Sequence, residues 1–315
     1  MDRPLILVTN DDGIGARGLR AAAEAVLDLG DVLVVAPDRQ WSGAGRSLPY
    51  DVTGRVSPAR FEAGGYDVDA YAVDGSPALA VEHALLELAP RAPALVVSGI
   101  NSGANLGSEV TISGTVGAAL EAAAFGIPAL AVSLEMDPAY LLSGENDADY
   151  SAAQALTRNM ARRLLAGALP DDVHVLNVNV PRDATAQTPW RVTHLSRWRY
   201  FWPVAPDRSN GSSRPGYRLL ADSRQCEESS DIYALTVDRV VSVTPLSLDL
   251  TSRVGLASLE GHLRGVPGAA AGLLWTWRLS TETWAARTGS LPNGPRHTRI
   301  LDGDVLLRAE AFYAD

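Results

Sequence analysis

Lysine is absent from this chain: every one of its 27 basic residues is arginine. That removes a phosphate-gripping Walker lysine, a pyridoxal Schiff base and a lysine general base. Anion recognition must fall to arginine, backbone N–H groups and hydroxyls. Cysteine is nearly absent too. Cys226 stands alone, which excludes an internal disulfide and a cysteine metal cluster. No apolar run reaches membrane-spanning length and no basic, apolar leader opens the chain, so a cytoplasmic protein without a membrane partner is expected. The net charge of -10 supplies no basic surface, which argues against binding a nucleic-acid polymer.

What is present is a large apolar fraction, 46% of 315 residues, enough for a sizeable core. Strand-like and helix-like stretches alternate. Leu5–Thr9, Val32–Ala36, Tyr66–Val73, Ala94–Ser98, Ala129–Leu134 and Val173–Val178 read as strands. Leu19–Leu29, Pro77–Leu88, Val116–Phe125 and Ala152–Leu165 read as helices. This pattern predicts an α/β fold, a mostly parallel sheet with helices on both faces. Three regions are expected: a core over 1–185, an arm and a strand returning to the core over 186–252, and a C-terminal extension over 253–315. The stretch Trp190–Gly216 reads as a protruding β-rich arm. The tail holds three of the seven tryptophans and no recognisable chemistry.

Chemistry gathers in the loops that follow predicted strands. Asn10, Asp11 and Asp12 come directly after the first strand. Adjacent carboxylates repel unless something positive lies between them, and a hard divalent cation is the usual solution. The plainer alternative is an Asp helix cap with an Asx-turn before the helix from about Arg17. A second loop carries Arg39, Ser42, Gly43 and Ser47, and a third carries Asn101, Ser102 and Asn105. In a parallel sheet these strand ends share one rim, which would bring carboxylates, a hydroxyl and an amide carbonyl together. Ser113, Gly114 and Thr115 then open a helix, where backbone N–H groups and the dipole favour an anion. An ordinary N-cap would look the same. Beside a metal, phosphate becomes the natural anion, and phosphoester hydrolysis the natural reaction.

Five ordered motifs carry a resemblance: Val8-Thr9-Asn10-Asp11-Asp12-Gly13, Ala36-Pro37-Asp38-Arg39 with Ser42-Gly43, Val73-Asp74-Gly75-Ser76-Pro77, Ser98-Gly99-Ile100-Asn101-Ser102-Gly103-Ala104-Asn105 and Ser113-Gly114-Thr115-Val116. Together they resemble the SurE family of survival-protein 5′/3′-nucleotidases, from about Leu5 to Thr251. The resemblance implies a metal-dependent phosphomonoesterase with a Rossmann-like core and an arm exchanged between subunits. It implies one divalent ion per subunit, Mg²⁺ or Mn²⁺, held by Asp11, Asp12, Ser42 and Asn101. It places the phosphate on Asn105, Ser113, Gly114 and Thr115, and Asn10 is counted with these substrate contacts. Asp11 and Asp12 become the catalytic pair, with an Asp as general base or as nucleophile; the sequence leaves both open. The implied partners are a small phosphorylated substrate, a nucleoside 5′- or 3′-monophosphate or a related metabolite, and further copies of the chain in a homodimer or homotetramer.

The chain departs from the family pattern at Arg46 and at Pro77-Ala78-Leu79-Ala80, and the arm matches only loosely. His83, His174, His194, His262 and His297 lie outside the motif loops, although His194 would approach a site if the arm folded over it. Two other readings compete. Gly13-Ile14-Gly15-Ala16-Arg17-Gly18 fits a dinucleotide fingerprint, so an NAD(P)-dependent oxidoreductase is one. Against it, Asp11 and Asp12 would crowd negative charge beside a pyrophosphate. A non-catalytic nucleotide-binding protein on the same fold is the other.

Overall fold

The computed structural model describes residues 3–137, 148–167, 169–206, 208–211 and 216–265, together with the short segments 277–279 and 305–307. Contacts divide the chain into Met1–Leu250 and Thr251–Asp315. In chain order the first unit contains β1 (Leu5–Thr9), α1 (Arg17–Val26), β2 (Asp31–Pro37), β3 (Val56–Pro58), β4 (Glu62–Ala63), β5 (Tyr66–Asp67), β6 (Asp69–Val73), α2 (Pro77–His83), β7 (Leu95–Ser102), α3 (Gly114–Ala124), β8 (Ala129–Leu134), α4 (Ser151–Ala166), β9 (Val175–Val180), β10 (Trp190–Val192), β11 (Phe201–Val204), β12 (Gly216–Leu219), α5 (Asp231–Thr236) and β13 (Val241–Leu246). The second unit contains α6 (Leu256–Leu263), β14 (Trp277–Leu279) and β15 (Val305–Leu307). Apart from these elements, the tail beyond 265 lies outside the described residues.

Nine strands form one sheet in the order β10-β13-β9-β8-β7-β1-β2-β6-β3. The run from β9 to β6 is parallel, and β13 and β3 pair antiparallel at its two sides. Period-2 alternation sends one set of side chains to each face. Ile6, Val8, Leu95 and Val97 pack on α1 and α4, while Leu7, Val96, Ala129 and Ala131 pack on α2 and α3. The helices start where local chemistry favours it. Ser76 caps α2 by accepting from the Leu79 N–H at 3.2 Å, and Pro77 occupies the first turn, where its missing N–H costs nothing. Among the described residues, no helix is long and apolar enough to cross a membrane.

Three expectations change. Tyr66–Val73 breaks into β5 and β6, because the β4–β5 hairpin uses its first residues. β7 runs on to Ser102 through a bulge between Ser98 and Asn101. Trp190 is not part of an arm: β10 is an edge strand of the main sheet, paired in parallel with β13. The hairpin is confined to β11 and β12, and its tip at 212–215 lies outside the described residues. Its root is covered by the same chain, since Tyr200 is buried with Leu106, Cys226, Ile232 and Leu235, and Trp198 packs against them.

Candidate active site

β1 lies between β7 and β2, so the chain leaves it to one side and later returns on the other. The crevice beyond the carboxyl ends of β1 and β7 is therefore the switch point where open α/β sheets bind ligands. Asp11 and Asp12 stand at that point.

Asp11 continues the side of β1 that faces α3 and is buried. Its Oδ1 accepts from the Thr115 hydroxyl at 2.5 Å, and its carbonyl accepts from the Trp41 N–H at 2.7 Å. Helix α3 comes so close that a Cβ on Gly114 would sit 2.6 Å from the Asp11 Cβ, so only glycine fits there. Burial, then the neighbouring Asp12 charge, pushes the Asp11 carboxyl up to about 7. Asp12 has different partners. It accepts from the Ser102 N–H and from the Gln40 amide, both at 3.2 Å, while burial raises its carboxyl above the ordinary range. Neither acid caps α1, whose N-cap is Ala16 with no side-chain bond. The helix-cap alternative thus has no support.

The remaining sequence-predicted residues fall as follows. Ser42 is exposed on the loop immediately after Trp41. That loop is tied to α3 by Arg46, which donates to the buried Glu121 at 2.6 Å. Asn101 donates to the Gly103 carbonyl at 2.7 Å, which leaves its Oδ1 as the open atom. Ser113 caps α3 by accepting from the Val116 N–H at 3.1 Å. Asn105 is half-buried on the loop after β7. Asn10 is different. Its Oδ1 accepts from the Gly13 N–H at 3.2 Å and its Nδ2 donates to the Gly13 carbonyl at 3.1 Å. This amide closes the turn that presents the two acids. His194 is exposed and bridges Ser230 through its backbone. Motif reading missed Gln40, Tyr150, whose hydroxyl pairs with that of Ser102 at 2.9 Å, and the buried trio Ser133, Asn177 and Asn179 around Asn105. Only the last left a signal, since Val175–Val180 alternates apolar residues with asparagines in a buried strand.

The donor chemistry suits a hard cation. No group of three or more His, Cys, Asp or Glu able to hold a metal occurs among the described residues. A cation here would have to rest on two carboxylates plus neutral oxygens, for which the Asn101 Oδ1 and the Ser42 hydroxyl are the sequence-predicted candidates. Two adjacent acids, one buried and one half-buried, both raised, are the condition that a cation would relieve.

The family model described as Survival protein SurE matches residues 6–201. The chain is 42% identical over 264 residues to the 5'-nucleotidase SurE of Thermococcus gammatolerans, covering 82% of this chain and 96% of that protein. It is 41% identical over 264 residues to the 5'-nucleotidase SurE of Thermococcus kodakarensis, covering 83% and 99%. The crystal structure of the SurE protein from Aquifex aeolicus matches with a TM-score of 0.65 at 32% identity, over 83% of this chain and 100% of that one.

Proposed function

This chain belongs to the SurE family, and from that premise we propose that it is a divalent-metal-dependent phosphatase whose substrates are nucleoside 5′- or 3′-monophosphates. The observation that carries the reading is the meeting of the Asp11–Asp12 pair with the first turn of α3 at the switch point of the sheet, where Thr115 donates to Asp11. The dinucleotide reading of Gly13-Gly15-Gly18 is not favoured, because the relatives are nucleotidases and the turn ahead of α1 presents two carboxylates.

In this reading Asp11, Asp12, Ser42 and Asn101 would hold one ion, Mg²⁺ or Mn²⁺, which would supply Lewis-acid chemistry toward the phosphate and a more acidic water. The chain's own groups do the rest. The N-terminal turn of α3, with Ser113, Gly114 and Thr115, turns its dipole toward the phosphate, while the Ser113 N–H donates to the Val110 carbonyl at 3.3 Å and the Thr115 N–H bonds Asp11. Asn105 adds an amide donor. Gln40 and the Ser102 N–H hold Asp12 in place, and Thr115 holds Asp11. The test is turnover of p-nitrophenyl phosphate and of 5′- and 3′-AMP with Mn²⁺, with Mg²⁺ and after EDTA. Rates unaffected by EDTA would overturn the metal assignment, and absence of any phosphate release would overturn the activity.

The β11–β12 hairpin is assigned to assembly into a homodimer or homotetramer by arm exchange. Supporting this, Val204 and Tyr217 are exposed apolar residues on it, whereas its root is covered by the same chain. Phe201 and Leu219 face each other across the hairpin, so Trp202–Arg218 can be replaced by a short glycine link. That variant is expected to run as a smaller species in light scattering. An intact protein that is monomeric at micromolar concentration would refute the assignment.

A further inference from the structure

Asn105 is a loop residue, yet it is gripped like a core residue. The Asn179 side chain closes on both of its backbone groups. Its Oδ1 accepts from the Asn105 N–H at 2.8 Å, and its Nδ2 donates to the Asn105 carbonyl at 3.0 Å. Asn177 donates to the same carbonyl at 2.9 Å, filling its second lone pair. Ser133 accepts from the Asn105 side-chain amide at 2.8 Å. All three partners are fully buried. Positions 133, 177 and 179 share the sheet face covered by α3, the face that also carries Asp11.

A stability role alone does not explain this arrangement. Asn177 leaves its Oδ1 buried with no hydrogen-bond partner. An apolar residue in β9 would avoid that orphan carbonyl, as Val175, Val178 and Val180 do on the same strand. Buried unsatisfied polar groups call for a reason, and local rules are broken most often where function demands it. Here the gain is that both backbone groups and one side-chain hydrogen of Asn105 are fixed, while its second amide hydrogen stays available.

We propose that Asn177, Asn179 and Ser133 are positioning residues that set the backbone and side-chain orientation of Asn105 for the substrate phosphate. The proposal rests on the reading of Asn105 as a phosphate contact. It is tested with Ser133→Ala, Asn177→Val and Asn105→Ala, singly and combined, in the metal-loaded enzyme. The readouts are KM and kcat for p-nitrophenyl phosphate, inhibition by inorganic phosphate, and Mn²⁺ affinity by calorimetry. Ser133→Ala and Asn177→Val are expected to weaken phosphate inhibition and raise KM about tenfold, the scale of one lost hydrogen bond, with Mn²⁺ affinity unchanged. Ser133→Thr keeps the hydroxyl and is expected to restore wild-type values. Adding Ser133→Ala to Asn105→Ala is expected to cost nothing more. Additive losses in the double variant, or Mn²⁺ affinity falling in parallel with phosphate affinity, would overturn the positioning role alone. Wild-type phosphate inhibition in Asn105→Ala would overturn the underlying contact, and the positioning role would fall with it.

Discussion

Asp231 is as buried as Asp11, and burial raises both carboxyls, yet the two stand in opposite circumstances. Asp231 accepts three backbone N–H groups, two from distant segments and one from its own neighbour: Gly107 at 2.7 Å, and Ser196 and Ile232 at 2.8 Å. Nearby, Glu109 accepts the Tyr200 and Phe201 N–H groups at 2.9 and 2.7 Å. These acids stitch the root of the hairpin to the loop after β7, and their charge is spread over fixed dipoles. Asp11 has one hydroxyl, some backbone help and another acid as its neighbour. Burial and a raised pKa therefore do not by themselves mark a functional acid. What separates Asp11 from Asp231 is a like-charge neighbour at a strand end, which raises its carboxyl further and is a cost that a bound cation would relieve.

The largest effect separates the two places by activity. Asp12→Asn is expected to lower turnover with Mn²⁺ by roughly 10²–10³-fold or more, the scale on which one key electrostatic group acts. The metal-free protein is expected to melt no lower than wild type, because the substitution removes repulsion with Asp11. Rate assays paired with thermal melts in EDTA check both halves. Full activity of the variant would refute the metal role.

The reverse pattern is expected at the hairpin root. Asp231→Ala strands three buried N–H groups, each costing about 1–3 kcal/mol when left without an acceptor. A total loss of several kcal/mol would lower the melting temperature by on the order of 10 °C in a domain of this size. Turnover per folded molecule is expected to change far less than in Asp12→Asn. A variant that melts normally, or one that is inactive while folded, would erase the distinction.

Much of the rim could be read from local pattern. The strands Leu5–Thr9 and Ala129–Leu134 lie where their apolar runs put them, and the loop acids follow β1 without a gap. Gly114 and Thr115 also meet Asp11 as a motif reader would hope, although α3 starts two residues earlier than Val116. What stayed hidden depends on distant partners. Asn105 is held by residues 28, 72 and 74 positions away, and no local period announces such a bond. Asp231 looks like an ordinary helix-start acid until Gly107 and Ser196 come to it. Gly107 itself takes φ 56 and leaves only 2.3 Å between a Cβ and the Trp198 carbonyl, a close approach no spacing rule foretells. Aromatics between 190 and 202 suggested one projecting arm because composition does not say which residues turn back to the sheet or into a satellite core.

A smaller effect probes the contact between the acid pair and α3. Thr115→Val keeps the shape of a fully buried side chain but deletes the hydroxyl that donates to Asp11 at 2.5 Å. It is expected to raise KM or lower kcat by about tenfold and to weaken phosphate inhibition, as the loss of one hydrogen bond to a charged group would do. Unchanged kinetics together with unchanged phosphate inhibition would separate Thr115 from the site.

The smallest effect concerns Glu109, and its sign distinguishes a buried stitching acid from a surface one. Burial raises its carboxyl above the ordinary 4.5, with the two backbone N–H groups opposing that rise. Between the unfolded and the raised folded value, the native state therefore holds more proton than the unfolded chain, and stability falls as pH rises through that window. A surface carboxylate stabilised by a cation would do the opposite. Glu109→Gln keeps an oxygen that can accept both N–H groups but cannot ionise. Relative to wild type, its denaturant midpoint is expected to gain as pH rises from about 4.5. Urea melts of both proteins across that range read the difference directly. A gap that stays constant would mean that the N–H groups of Tyr200 and Phe201 balance the cost of burying the charge, and one that moves in favour of wild type with rising pH would mean that they outweigh it.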